Sequence, residues 1–351
     1  MLEIDFHPVT ATGGDGSTKS GDAISGRFLD ATGKQRVFVV DGGYQATGEA
    51  VVAHIRKYYE TSRVDLAIST HADADHINGM PVIVDELTVE ELMLHQPRQR
   101  AGSAVAGLSN IEAVDTLLST AEDNGTAVSD PFTGEERLGG HVQLMGPDKD
   151  FYDELLVEHL VAVALGTKSV SLANQFRSRA RDLLESARAM LPMIETLSDI
   201  CKTDPRNEMS VITLLAVDGY RILLTGDAGQ RSLTRAADEY EARVGSFAAN
   251  PLGLFQVPHH GSRHNIGPTL LNRIIGAKGA SYAITNAIVS AAKDSPKHPS
   301  PKVTNALLRR DAVVAVTAGT TVCYQQNAVG RFGWYPATPL PPLDEGTDPD
   351  V

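Results

Sequence analysis

His71-Ala72-Asp73-Ala74-Asp75-His76 carries four side chains able to bind a divalent metal within six positions. The apolar run 64–69 before it reads as a buried strand, and Asn78-Gly79 after it is a turn signal. Crowding imidazoles and carboxylates at a strand end is costly unless a cation neutralises them. Zinc and similar ions accept His nitrogen and Asp oxygen. His71 and Asp73 alternate along one extended loop, so both can face one ion. Asp75 and His76 lie beyond the bend and can face a second. One His or Asp in a loop is ordinarily just solvated; four at one strand end read as half of a two-metal hydrolytic site.

Two later segments are expected to supply the other half. Leu223-Leu224-Thr225-Gly226-Asp227 delivers a carboxylate at the end of an apolar strand, a usual place for a site. Asp227 is expected to bridge both ions, the competing reading being an N-cap of the next helix. Pro258-His259-His260-Gly261-Ser262 follows another buried run. His260 is expected to be the ligand of the second ion and His259 to face substrate, while Ser262 reads as a helix cap.

Composition bounds the rest. The 351 residues carry 31 Lys plus Arg against 44 Asp plus Glu, a net charge of −13. That argues against a passive nucleic-acid binder, which normally shows a basic face, without excluding an enzyme that acts on phosphate esters. Two cysteines, Cys201 and Cys323, form no CxxC pattern, so no disulfide framework is expected. The first residues lack a signal-like segment, and no apolar run approaches the roughly 20 residues of a membrane span. A cytoplasmic protein with no membrane association is the expectation.

Strands are expected at 4–9, 23–28, 37–40, 64–69, 142–145, 210–217, 220–224, 252–257, 282–285, 313–318 and 321–325. Helices are expected at 49–59, 108–122, 230–244, 268–275 and 301–310. This order suggests an α/β chain folded as an αββα sandwich. Residues 1–149 and 205–335 would form one domain. Residues 150–204, nearly free of Gly and Pro, read as an inserted helical segment that caps the site or forms a dimer or partner contact. Within it Arg177, Arg179 and Arg181 form a basic group on different helix faces. The acidic, proline-bearing tail 336–351 reads as disordered.

The pattern resembles the metallo-β-lactamase superfamily, and more closely the metallohydrolase domain of ComEC-type DNA-uptake proteins without their membrane channel. The resemblance rests on Gly21-Asp22-Ala23-Ile24, Asp41-Gly42-Gly43, the HxDxDHxxG run 71–79, Asn207-Glu208-Met209-Ser210, LLTGD at 223–227, HHGS at 259–262, and His298-Pro299 followed by Thr317. It implies a metallo-β-lactamase sandwich with two divalent ions, zinc or manganese. Asp73 and Asn207 stand where most of the superfamily has His. Asn207 offers only a neutral oxygen, so the first ion, on His71, Asp73 and Asp227, would bind loosely. Asp22 and Asp41 would hydrogen-bond loop backbone or a metal-binding histidine.

The expected chemistry is hydrolysis. Divalent cations lower the pKa of a water and so provide hydroxide near neutral pH, which attacks a phosphorus or a carbonyl carbon. Asp75 is expected to be essential, and His259 and His298 to serve the leaving oxygen. His298 also fits a surface histidine at a helix start, and Lys293, Lys297 and Lys302 beside it fit either a phosphate contact or a solvated face. The leading expectation is a phosphodiesterase acting on nucleic acid or nucleotides. The alternatives are a hydrolase of a carboxylic ester, lactone, thioester or amide, and a non-catalytic regulatory or scaffolding subunit with a structural metal.

Overall fold

Apolar side chains from two sheets interdigitate at the centre of the protein. The structure, a computed structural model, describes residues 1–165 and 195–347. The first seven-stranded sheet runs Ala127–Ser129 (β6), Glu91–Met93 (β5), Leu66–Ile68 (β4), Gln35–Gly42 (β3), Ala23–Leu29 (β2), Leu2–Phe6 (β1) and Val322–Gln326 (β14). The second runs Glu136–Arg137 (β7), Val142–Gly146 (β8), Ile212–Val217 (β9), Tyr220–Leu224 (β10), Leu254–Gln256 (β11), Asn286–Val289 (β12) and Val313–Val316 (β13). Ile4, Phe6, Phe38 and Val40 from one sheet meet Leu215, Ile222, Leu224 and Leu254 from the other in a single buried cluster. Burying a side chain of this size contributes roughly 1.5–3 kcal/mol.

Helices cover both outer faces. Gln45–His54 (α1), the short Ala74–Ile77 (α2), Met80–Glu86 (α3), Ile111–Asp123 (α4) and Lys149–Ala164 (α5) lie on the side of the first sheet, and Pro205–Glu208 (α6) sits between the layers at one end. Gln230–Arg243 (α7), Pro268–Ile275 (α8) and Pro301–Leu308 (α9) cover the second. In α4 the buried residues Ile111, Val114, Leu117 and Ala121 recur at three or four positions, the spacing of one helical face. The αββα sandwich expected from the sequence is the architecture observed.

Parallel pairing positions the site. β3 pairs with β4, β10 with β11 and β11 with β12, all in parallel. Their C-terminal ends therefore open at one edge of the sandwich, where the loops bearing Asp41, His71, Asp227, His259 and Ser290 emerge. Such an edge is where ligands bind in open α/β sheets.

Several expectations need correction. The run 64–69 is two strands, Arg63–Val64 and Leu66–Ile68, split at Asp65, whose carboxylate accepts the Val37 N–H at 2.9 Å. The strand expected at 282–285 lies instead at β12, and Ile284 is 72% exposed. Helix 49–59 is α1 followed by a π-helical turn, Ile55–Tyr59. The segment 150–204 is joined to the main domain at both described ends. Phe151, Tyr152, Leu155 and Leu156 of α5 enter the first helix–sheet core, and Glu195 forms a two-armed ion pair with the fully buried Arg310 (2.7 and 3.0 Å). Arg177, Arg179 and Arg181 lie outside the described residues.

The tail is held in place as far as residue 347. The Leu340 N–H donates to the Val314 carbonyl at 2.8 Å, the Leu343 N–H donates to the Asn305 side chain at 2.8 Å, and buried Glu345 pairs with Arg309 at 2.6 Å. These contacts replace the disorder expected from composition. Among the described residues no helix is long and apolar enough to cross a membrane.

Candidate metal centre

Asp227 is the hub. Its Oδ1 lies 3.4 Å from His76 Nε2 and 3.8 Å from His260 Nε2, and its Oδ2 lies 3.7 Å from His71 Nε2 and in closer contact with His259 Nδ1. Asp73 Oδ2 is 3.8 Å from His71 Nε2. Asp75 Oδ2 is 3.4 Å from His260 Nε2 and 3.9 Å from His76 Nε2. The six expected ligands thus gather around one carboxylate in two sets: His71, Asp73 and the Oδ2 side of Asp227, then Asp75, His76, His260 and its Oδ1 side. Asp227 does not cap a helix, because α7 starts at Gln230 with Gly229 as its N-cap.

Each ligand histidine is anchored through Nδ1. His76 Nδ1 bonds Asp41 Oδ2 at 2.8 Å, His260 Nδ1 donates to the Ser290 carbonyl at 2.9 Å, and His71 Nδ1 meets the Thr70 hydroxyl at 3.0 Å and that of Ser210 at 3.3 Å. Asp41 also accepts from the Thr70 N–H at 2.8 Å and the Thr70 hydroxyl at 2.6 Å. Asp22 accepts from Gln256 at 3.0 Å. Partners of this kind fix ring orientation in metal sites. The consequence is visible in the atoms left over. His71 Nε2, His76 Nε2, His260 Nε2 and Asp227 Oδ1 are buried and form no hydrogen bond with any described residue. Buried polar atoms are normally paired, so four convergent orphans of ligand type fit divalent metal, and the Asp/His donor set suits zinc or manganese.

Close backbone approach holds the loops together. A Cβ at Gly79 would stand 2.1 Å from the Gly42 carbonyl oxygen, and the Gly79 N–H donates to the Gly43 carbonyl at 2.8 Å. Only glycine lets the first metal loop seat against Asp41-Gly42-Gly43. His259 and His260 have φ values of 48° and 56°, consecutive left-handed residues that cost of order 1 kcal/mol or more each. The tight bend that results turns both imidazoles into the site.

The electrostatics match a cation site. Burial disfavours charge on His260, but Asp227, the Asp75 carboxylate 3.4 Å away and the Asp22 charge outweigh it and push its pKa up to about 9. His76 is raised in the same way by Asp227 and Asp41 against burial. Burial opposes ionisation of Asp75, yet His260 and His76 bring its carboxyl down to about 2. Carboxylates crowded this way retain protons on their histidines when no metal ion is there to take the proton's place.

The structure places His259 differently from the sequence reading. Its Nδ1 touches the Asp227 oxygen that faces His71, and the Asn207 side chain lies 3.0 Å from the same nitrogen. It therefore shares the Asp227 Oδ2 side with His71, with Asn207 as its neighbour. His298 is half-buried with its ring 5.7 Å from that of His259 and 6.0 Å from that of His260. Lys293 and Lys297 are exposed, whereas Lys302 is 2% exposed and is no part of a solvated lysine face. Ser262 accepts from the His264 N–H at 3.3 Å within a local turn. Sequence reasoning missed Arg206, whose guanidinium is 3.0 Å from Asp73 Oδ1, and the anchors Thr70, Ser210 and Ser290. Thr70 carried a signal by adjoining His71; Ser290 carried none.

Comparison with family models gives no match, and neither does comparison with curated proteins. Solved structures do align. A CmlA beta-hydroxylase E377D mutant is 10% identical over 92% of this chain and 54% of its own, with a TM-score of 0.44. A long form RNase Z from yeast is 11% identical over 82% of this chain and 37% of its own, with a TM-score of 0.38. A metallo beta lactamase from Hirschia baltica is 11% identical over 67% of this chain and 85% of its own, with a TM-score of 0.27. The chain spans about half the length of the first and little more than a third of the second. At one residue in ten, such likeness concerns the fold alone.

Proposed function

We propose that this chain is a metal-dependent hydrolase that cleaves phosphodiesters in nucleotides or nucleic acid. The metal-dependent reading rests on one observation: three imidazole nitrogens and one carboxylate oxygen, buried and unpaired, converge between Asp73 and Asp75. Two divalent cations held there would supply Lewis acidity and hydroxide at neutral pH. His71, Asp73, Asp227 and His259 would hold one ion, and Asp75, His76, Asp227 and His260 the other. Asp41, Ser210 and Ser290 keep the imidazoles in the orientation this requires. His298 stands beside His259, where its ring can hydrogen-bond a leaving oxygen. Lys297, whose charge acts on His298, and Arg206, beside Asp73, favour an anionic ester over a neutral one.

The test compares bis(4-nitrophenyl) phosphate with 4-nitrophenyl acetate, using protein loaded with Zn2+ or Mn2+. Preferential cleavage of the phosphodiester is expected, with loss of turnover in Asp75→Ala at unchanged circular dichroism. Preference for the acetate would move the assignment to carboxylic esters. A folded protein that takes up neither metal would end the hydrolase reading.

A further inference from the structure

A closed-walled cavity opens beside the first-ion side of the centre. His71, Ala72 and Asp73 form part of its lining; its enclosed space is about 50 Å³, within a wider envelope that opens to solvent. The rest comes from four separate pieces of chain: the segment after β5, the start of α4, one face of α5 and the end of α6. The wall is apolar, made by Leu94, Leu108, Ile111, Val114, Leu156 and Met209. Tyr152 adds a ring, with His95 stacked on it at 4.1 Å between centroids.

Two histidines interrupt this apolar wall. His95 is 6% exposed, and among the described residues neither of its ring nitrogens has a partner within 3.5 Å, the Met209 backbone being its polar neighbour. His159 is 7% exposed, and its Nε2 is likewise unbonded. Arg206 stands in the same lining, paired with Asp73. An enclosed apolar pocket with a few convergent polar groups beside reactive side chains is the general form of a small-molecule subsite. A purely structural core would not bury two imidazole edges unpaired.

We infer that this cavity is a specificity subsite that takes a compact ring on one ester arm of the substrate, with a polar edge read by His95 and His159. The inference rests on the hydrolase reading and adds a substrate class to it: a phosphodiester with one small aromatic or heteroaromatic arm, seated on the first-ion side. The scissile phosphorus sits between Asp73 and Asp75, and the ring enters between α4 and α5. Exchange of the ring for a methyl group leaves the cavity wall without its apolar partner.

Two reporters with the same leaving group test this. Methyl 4-nitrophenyl phosphate and phenyl 4-nitrophenyl phosphate differ only in the retained arm. In each, water adds at phosphorus, the P–O bond to 4-nitrophenolate breaks, and methyl or phenyl phosphate remains. The phenyl ester is expected to show a KM at least tenfold lower, and Leu108→Trp, which fills the mouth, is expected to bring the two KM values together. Calorimetric titration of the metal-loaded protein with phenylphosphonate and methylphosphonate gives a readout independent of turnover, with the same preference expected. Equal KM values, equal affinities, or binding of neither phosphonate would overturn the subsite. If neither reporter is cleaved but phenylphosphonate binds preferentially, the hydrolase reading fails while the subsite stands.

Discussion

Asp41→Asn isolates what the carboxylate that holds the His76 ring contributes to the centre. Asp41 is 1% exposed and adopts φ 59°, a conformation that Asn tolerates as well as Asp, so the backbone has no reason to move. Its Oδ2 receives two hydrogen bonds, from the Thr70 hydroxyl at 2.6 Å and from His76 Nδ1 at 2.8 Å, and its Oδ1 receives the Thr70 N–H at 2.8 Å. Whichever way an amide turns, its nitrogen faces at least one donor. One or two hydrogen bonds to a charged acceptor are lost, at about 1.5–3 kcal/mol each. That is a large share of a typical total of about 5–15 kcal/mol. The His76 ring also loses the anion that fixes its tautomer with Nε2 free for metal. Loss of such a partner typically lowers metal affinity about 10–100-fold, or roughly 1.4–2.7 kcal/mol. Competition with a chromophoric chelator measures zinc affinity, and urea unfolding of the metal-free protein measures stability. A destabilised variant that holds zinc within about threefold of the parent would refute the reasoning, because it would confine Asp41 to bracing the loop at Thr70.

Two further outcomes are expected. His259→Ala should weaken binding of one ion at least about tenfold more than Asn207→Ala, seen as the lost step in a two-step Co2+ titration, because His259 rather than Asn207 contacts the Asp227 oxygen on the His71 side; equal effects would return Asn207 to the ligand set. Burial, helped by the Arg100 charge, pushes the His95 pKa from 6.5 down to about 3. The fold thus keeps His95 neutral, so this stabilisation is complete above pH 6.5 and is lost as pH falls from 6.5 towards 3, by up to about 5 kcal/mol. His95→Phe should flatten that limb of a plot of denaturant midpoint against pH, and an unchanged slope would contradict it.

What the sequence made legible was chemistry attached to strand ends. His71, Asp73, Asp75, His76, Asp227 and His260 were identifiable because each leaves an apolar run, and parallel strands in a sandwich have only one edge at which to deliver them. The strands expected at 210–217 and 220–224 are joined by Asp218-Gly219, whose φ values of 50° and 83° make the β9–β10 turn. Features that depend on distant partners were hidden. β5 and β6 have three residues each, too short for any periodicity, and exist because β4 offers a parallel edge to β5, and β5 one to β6. The tail looked disordered by composition, yet Glu345 has Asn305 in α9 and Arg309 at its C-terminal cap as partners. Lys302 looked like a solvated cation and is buried at the start of the same helix.

The same distinction separates the reaction from its substrate. Metal ligands must be particular residue types, so their identity is written at the position itself. His259 already marks the limit of that rule. Its type announces a role, but a left-handed bend decides that it turns towards His71, and no neighbour in sequence specifies the bend except Gly261. The cavity beside it lies wholly beyond the limit. Leu94, Leu108, Val114, Leu156 and Met209 are ordinary core residues one at a time, and His95 is one histidine after a three-residue strand. They line one cavity only because α5 brings His159 and Tyr152 to the same place as His95, next to Asp73. On the proposed reading, substrate choice is therefore a property of how helices outside the sheets are assembled. Substitutions in α4 and α5 should change which ester is accepted while the metal loops, four residue types at a strand end, continue to define what is done to it.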